Sequence, residues 1–556
     1  MDALVLTADS RLADRIVRRL EEAPNSLHGR AFSLDDGEAA KAIRNLHARF
    51  VVIAPAEAPV KSRPAHICIL QNLFQMCLEP PVQHLILVSN GAVYGPDHHL
   101  IGFSPEHTKR RPSMINTEAD WWHEIEEIFR RGLEGKRSEI QLLVIRTPFV
   151  VGGAGNRILE RVIKRRLLIR YAGFNPPLQF LSVTGLAEAI VYGLQRRLSG
   201  TYHVAPDDIV PLRSALKSLA VRSLGVPRTL QRILRPLLFK QLDGVETTDQ
   251  LDYLRYPWTL CGEKFTRETN VKFSSQQAVA EIGGKPPIGH NAPSVWSKFD
   301  RFGGDEAFYQ RHGRTTFRFA EKIYWRIESR GFEHLPRTGP AIIVGPHRGF
   351  MPLDGVMMFH LTYRYTGRVI RFLIHPTLMK FPFQTLFFQR MMCVMACRTN
   401  AERVLESGHF LGVYPEGIDG AFKMYRDAYT FGRFGRPDYA RWALKFNVPV
   451  VPFAIAGSAE IFPILAKLEW RWLVRFLEWP FFPITPTFPL LPFPLPTKWH
   501  MQFLPPVHPA DVKSEAERLK AEPLTLFTDK VRNMVDTATK EMLQRRRSIF
   551  CGRIWS

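Results

Sequence analysis

From residue 1 to about 212, short β-branched apolar runs alternate with longer amphipathic stretches: ALVLTA, ADRIVRRLEE, FVVIAP, HICILQNLFQMCLE, HLILVS, EIEEIFRRGL and LLVIRTPFVV. That alternation predicts βαβ units around a parallel sheet. Residues 213–282 are mixed and basic, and Pro236 interrupts the helical period of RTLQRILRPLLFK. GGKPPIGHNAP, from 283 to 293, combines paired glycines and prolines with no apolar period, which marks a linker. The predicted organisation is therefore a first domain at 1–282, a linker at 283–300 and a second domain at 301–556. The second domain opens with the amphipathic FRFAEKIYWRIESRG and continues through the strands AIIVG, FLGVY and VPVVPFAIAG. It closes on a charged helix from about 523 to 547. The fold class is α/β throughout.

The 556 residues suffice for two sizeable cores, and 45% hydrophobic with 23% charged residues excludes a chain that stays unfolded. Lys and Arg outnumber Asp and Glu by 75 to 53, and the net +22 attracts anionic partners: membrane surfaces, phosphorylated ligands or nucleic acid. The basic runs at 109–111, 164–166 and 545–547 are scattered, with no nucleic-acid module beside them, so nucleic acid ranks last. The six cysteines form no CxxC pair and predict reduced thiols in a cytosolic chain. MDALVLTADSRLADRIVRRL lacks the order of a secretory signal. The longest uncharged run, Trp479 to Thr497, holds seven prolines, which rules out a regular transmembrane helix there. Pro480, Pro483, Pro486, Pro489 and Pro492 recur every third residue, the period of polyproline II. The expectation is an extended segment whose aromatics lie at a bilayer interface beside Arg471, Arg475 and Lys498. Packing of the same aromatics on the domain core is the plainer alternative.

In order along the first domain, FVVIAP, LILVSNGAVYG, LLVIRTPFVVGG, QFLSVTGLAEAIVYGL, GTYHVAPDD and LDYLRYPW resemble the extended short-chain dehydrogenase/reductases, the nucleotide-sugar epimerases and dehydratases. The resemblance implies an N-terminal Rossmann-like, doubly wound parallel sheet. The family's chemistry does not come with it. Its first-turn glycines let the backbone approach a pyrophosphate; here Ala8, Arg11 and Asp14 stand in their place, and an acid at the helix N-terminus repels phosphate. Asn90 or Ser89 stands near the family's Ser, and NTEADWWHEIEE at 116–127 contains neither Tyr nor Lys, so no ammonium activates a phenol. The expectation is a degenerate domain that does not take NAD(P) and serves in docking, regulation or ligand sensing. Tyr94 and Gly95 still match the family and keep a residual sugar-nucleotide site open. Asp97, His98 and His99, beside Pro96, read as a polar loop rather than a metal site.

Four blocks of the second domain resemble, in order, the glycerolipid and lysophospholipid acyltransferase superfamily, nearest its mono- and diacylglycerol acyltransferase-like branch. They are GFEHLPRTGPAIIVGPHRGFMPLDG, MACRTNAERVLESGHFLGVYPEGIDG, FGRFGRPDYARWALKFNVPVVPFAIAGSAEIFPIL and PLPTKWHMQFLPPV. The resemblance implies a C-terminal α/β acyltransferase domain. Its substrates would be an acyl thioester, on coenzyme A or an acyl-carrier protein, and a lipid hydroxyl at a membrane surface with anionic lipids.

The strand AIIVG delivers His347 into a loop, and Asp354 follows near a helix start. A hydroxyl is a poor nucleophile until a base takes its proton. Histidine does so near neutral pH, and a carboxylate on its second nitrogen fixes the tautomer. The family spaces this His and Asp by four residues; here six intervene, and Pro346 stands where the family has Asn. Either the loop bulges at Gly349 and Pro352 to restore the pair, or the pair is broken and the chain is an inactive two-domain lipid- or nucleotide-binding scaffold.

In YPEGIDG, Glu416 and Gly417 match the family's acceptor-site pair, and Ile418 and Asp419 replace the Thr-Arg of its phosphate-binding members. Losing that guanidinium removes a bidentate phosphate clamp, which implies a neutral glycerolipid acceptor. Arg398 and Lys423 are candidates for the donor phosphates, and backbone N–H groups near Gly417 for the oxyanion. No metal and no bound cofactor are called for. A lipid substrate without a spanning segment implies peripheral attachment to the cytoplasmic face of a membrane, in an oligomeric state the sequence leaves open.

Overall fold

A computed structural model of the chain describes residues 2–555 apart from 24–26, 35–36, 56–61, 101, 111–116, 135–139, 153–156, 283–299, 301, 432–433, 435–436 and 491–492. The chain divides into two compact units, Met1–Gly303 and Gly304–Ser556. All but the end of the 283–300 linker segment lies outside the described residues.

The strands that organise the first unit are β1 (Ala3–Thr7), β2 (Gly29–Phe32), β3 (Phe50–Ala54), β4 (His84–Asn90), β5 (Gln141–Thr147), β6 (Leu167–Tyr171), β7 (Gly200–His203) and β8 (Arg222–Val226). Six form one sheet in the order β7-β5-β4-β3-β1-β2, with every neighbouring pair parallel. The chain runs outward from β1 to β2 and returns to β3 on the other side of β1, so the order reverses there, as in a doubly wound sheet. Both faces are covered: Leu4 and Leu6 join one core with Leu85 and Leu87, while Ala3 and Val5 join another with Ile86 and Ile145. Burial on both faces explains why these strands are unbroken apolar runs rather than alternating ones. Helix α1 (Ser10–Glu22) turns Leu12, Ile16 and Leu20 inward at four-residue spacing. Helix α2 (Thr117–Leu133) buries two carboxylates, Glu118 and Glu126. Outside the main sheet β6 pairs with β8, which leads into α3 (Arg228–Leu234).

The second unit is built on β9 (Glu328–Arg330), β10 (Ala341–Val344), β11 (Ile370–Ile374), β12 (Val394–Met395), β13 (Phe410–Val413), β14 (Val450–Ala456) and β15 (His500–Phe503). Their order is β9-β15-β14-β10-β13-β11-β12, and the β14–β15 pair is antiparallel among otherwise parallel neighbours. Strand β10 is therefore central and wholly buried. Its carboxyl end feeds the loop that carries His347 into α4 (Leu353–Thr366). The other helices that bear on the site are α5 (Arg398–Glu406), the short α6 (Gly417–Ala421) and α7 (Arg471–Leu477).

The proline-rich run departs from the single polyproline II segment its spacing predicts. Phe482–Ile484 instead pairs antiparallel with Ala466–Leu468, and a turn follows. The cause is the aromatics: Trp479, Phe481 and Phe488 pack on the core of the unit and hold the chain there. Trp470, Trp472, Phe476 and Phe493 remain exposed. Among the described residues no helix is long and apolar enough to cross a membrane.

His203, at the end of β7, is fully buried with its Nε2 2.7 Å from the Tyr94 hydroxyl. Burial, assisted by the Arg146 charge, lowers its pKa from 6.5 to about 3, so the folded chain keeps this ring neutral. The unfolded chain protonates it below about 6.5, hence stability is lost as pH falls from there toward 3, at about 1.4 kcal/mol per pH unit. His203→Gln is expected to flatten this part of the profile when urea unfolding is measured between pH 7 and pH 4. An unchanged slope would count against the assignment.

Candidate active site

The six-residue spacing between His347 and Asp354 closes into contact. His347 Nδ1 lies 2.9 Å from Asp354 Oδ2, and the same oxygen accepts the Arg348 backbone N–H at 3.0 Å. The other oxygen, Oδ1, accepts the Gly355 N–H at 2.8 Å. Asp354 stands in the first turn of α4 at 1% exposure, where the aligned peptide dipoles favour an anion. The bulge that spans the extra residues passes through Gly349 at φ +108, where a Cβ would come 2.7 Å from the Ser458 carbonyl oxygen. Only glycine tolerates both that dihedral and that approach. With Nδ1 donating to the carboxylate, Nε2 carries the lone pair, and it makes no hydrogen bond among the described residues.

Tyr414 lies flat on the His347 ring, centroids 4.6 Å apart and planes 19° apart, and Phe372 backs it at 5.3 Å and 13°. Burial and the Asp354 charge push the Tyr414 phenol well above its ordinary pKa, so it stays protonated.

Beside this pair, Arg348 and Lys423 converge on Glu416. Arg348 Nη1 is 2.5 Å from Glu416 Oε2, and Lys423 Nζ bonds Oε1 and donates to the Thr430 carbonyl at 2.7 Å. Arg348 is 1% exposed and its guanidinium sits 4.7 Å from the Phe431 ring centroid. Burial and the Arg348 charge lower the Lys423 pKa. Arg348, Gly349, Phe350, Lys423 and Phe462 line a small, partly open space of about 10 Å³, room for roughly one water. Arg348 Nε and Nη2 are buried with no hydrogen-bond partner among the described residues. Phe350 forms the apolar wall, 5.1 Å from Trp479 and 5.0 Å from Phe488 between ring centroids.

The structure thus brings together His347, Asp354, Glu416 and Lys423. Arg398 is instead an exposed residue that pairs with Glu402 within α5 at 2.9 Å. Gly417, at φ +59, donates its N–H to the Tyr414 carbonyl at 2.9 Å, so that group is taken up in the turn rather than offered to an oxyanion. Arg348 and Tyr414 were missed by motif reading. A basic residue directly after the loop histidine, and an aromatic directly after the strand FLGV, are the signals that could have found them.

In the first unit, the turn after β1 is closed by a carboxylate, but by a different one from the Asp14 singled out in the sequence. Asp9 caps α1, accepting the Leu12 N–H at 3.0 Å, so an anion already occupies the helix N-terminus. Asp14 lies inside the helix. Near the carboxyl end of β4, Ser89 donates to Glu126 at 2.7 Å, Arg146 grips both Glu126 oxygens at 2.8 and 2.6 Å, and Arg146 Nη1 reaches the Tyr94 hydroxyl at 2.5 Å. Ser89, Tyr94, Glu126 and Arg146 are thus linked to one another. Asp97, His98 and His99 bring ligand atoms within 4.8 Å of one another, and the Asp97 carboxylate accepts the His99 N–H at 3.0 Å and pairs with His98 Nδ1 at 3.0 Å.

Residues 326–456 match the Acyltransferase family. The chain is 36% identical over 262 residues to an uncharacterized protein of Mycobacterium tuberculosis, a match spanning 46% of this chain and 72% of the relative. An uncharacterized Mycobacterium leprae protein matches over the same length at 34%, with 70% of it covered. The chain is also 27% identical over 169 residues to the Bos taurus DGAT1/2-independent enzyme synthesizing storage lipids, a match over 30% of this chain and half of that relative. Among solved structures, it is similar to UDP-N-acetylglucosamine 4-epimerase from Bacillus cereus at 14% identity, over 51% of this chain and 98% of that one, with a TM-score of 0.37. The family match lies wholly inside the second unit, where the His347–Asp354 pair closes, so the chain carries an acyltransferase-family domain there.

Proposed function

We propose that the second unit transfers a fatty acyl group from an acyl thioester, carried by coenzyme A or an acyl-carrier protein, to the hydroxyl of a neutral glycerolipid. The 2.9 Å contact between His347 Nδ1 and Asp354 carries this reading, because it leaves Nε2 as a free base at the edge of the site. Nε2 takes the hydroxyl proton as the oxygen attacks the thioester carbonyl. The tetrahedral intermediate expels thiolate, and the imidazolium returns the proton to sulfur. Asp354 stays ionised throughout and stabilises the imidazolium. Ile418 and Asp419 stand where the phosphate-binding relatives carry Thr-Arg, and the absence of that guanidinium favours an uncharged acceptor over a phosphate-bearing one.

The enzyme meets its lipid at the cytoplasmic surface of a membrane, where exposed Trp470, Trp472 and Phe476 enter the interface and Arg471 and Arg475 meet anionic headgroups. The first unit takes up no NAD(P), since the Asp9 carboxylate holds the place a pyrophosphate would need.

His347→Ala is expected to lower radiolabelled acyl incorporation into diacylglycerol by about 10²- to 10⁴-fold, and Asp354→Asn to lower it substantially as well; equal incorporation by wild type and His347→Ala would remove the proposal. Arg348→Met strips Glu416 of its buried partner and is expected to cost about 1.5–3 kcal/mol in urea unfolding, part of which Glu416→Gln restores in the double variant. Titration with NADH is expected to leave cofactor fluorescence unchanged, and saturable enhancement would show that the first unit kept its ancestral ligand.

A further inference from the structure

Helix α3, the wider turn Arg235–Phe239 and the short helix Lys240–Asp243 together reverse the usual polarity of a helix packed on a protein. Their inward positions are Gln231, Arg235, Phe239 and Asp243, one every four residues, and three of these are polar. Arg235 is 1% exposed and reaches Asp243 through two hydrogen bonds of 3.0 Å. It also donates to the Ile169 carbonyl at 2.8 Å, and Gln231 donates to the Ile169 and Arg170 carbonyls at 2.8 and 3.1 Å. The segment is thereby pinned to β6 by polar groups.

Its outward residues are aliphatic. Leu230, Ile233, Leu237, Leu238 and Leu242 are exposed, Ile233 at 62% and Leu237 at 70%, and Leu224 of β8 is exposed with them. A helix selected for water keeps its apolar stripe inside and its charges outside, so this face is built for another phase. The charge pattern identifies that phase. Arg222, Arg228, Arg232 and Lys240 are exposed among the leucines, and the only acidic residue from 213 to 243 is Asp243 itself, sealed against Arg235.

We propose that this face of the first unit docks on an anionic lipid bilayer. The aliphatic side chains enter the boundary between headgroups and acyl chains, while the guanidinium and ammonium groups meet lipid phosphates. Resting on the acyl transfer proposed above, this gives the first unit a role in holding the chain on the surface that carries its lipid substrate.

The test is flotation of the full chain with vesicles of phosphatidylcholine alone or mixed with phosphatidylglycerol. Wild type is expected to partition at least tenfold more strongly onto the anionic vesicles. The exposed-residue variant Ile233→Asp/Leu237→Asp is expected to lose at least tenfold of that partition with an unchanged circular dichroism spectrum, and Arg228→Gln/Arg232→Gln to lose a similar factor. His347→Ala is expected to partition as wild type does, which keeps this outcome separate from that of acyl transfer. Unchanged partition by Ile233→Asp/Leu237→Asp overturns the proposal. So does a chain that ignores vesicles yet binds a random DNA duplex or an acidic protein through this face.

Discussion

A single buried carboxylate organises the second unit's site. Asp354 lies at 1% exposure and collects the His347 ring, the Arg348 N–H and the Gly355 N–H. Burying an isolated anion is prohibitively costly, and three donors together with a helix N-terminus make this one tolerable. The same contacts that satisfy Asp354 shape the loop around it. Ring orientation, loop bulge and helix start are therefore one cooperative object, and Gly349 is the backbone condition that lets it close.

The strand ends of the two units' α/β sheets are filled in opposite ways. In the first, the carboxyl ends of the strands are occupied by the chain's own side chains: Asp9 at the helix, and Ser89, Tyr94, Glu126 and Arg146 bonded to one another. In the second, one imidazole nitrogen is left without a partner among the described residues. A polar cluster whose members satisfy one another is stable but has little left with which to bind a ligand. In the reading proposed above, chemistry is confined to the unit that leaves a lone pair open, and the other has turned to holding a surface.

Much of this was legible in the sequence because the signals are local. Strands such as ALVLT and FVVIA carry their burial in their composition, and the order of the acyltransferase-like blocks pointed to His347, Asp354 and Glu416 as candidates, the first two of which the structure brings into contact. What was not legible depends on three-dimensional choice. Whether six intervening residues close or open a pair depends on where a Ser458 carbonyl passes. The threefold proline period was overridden by aromatics that found a core. Arg348 looked like any loop cation until its burial against Glu416 was known. The inverted face of α3 was hidden because a helical period records which residues share a side and not which side meets the protein.

Tyr414 lies flat on His347 and is backed in turn by Phe372. A ring held between a stacked neighbour and a carboxylate cannot swivel to exchange its two edges without breaking both contacts. In the proposed reaction the proton must then leave by the same edge through which it entered. The acceptor oxygen and the thioester sulfur must therefore both come within reach of that one edge, which fixes how the two substrates lie against each other in the proposed reaction.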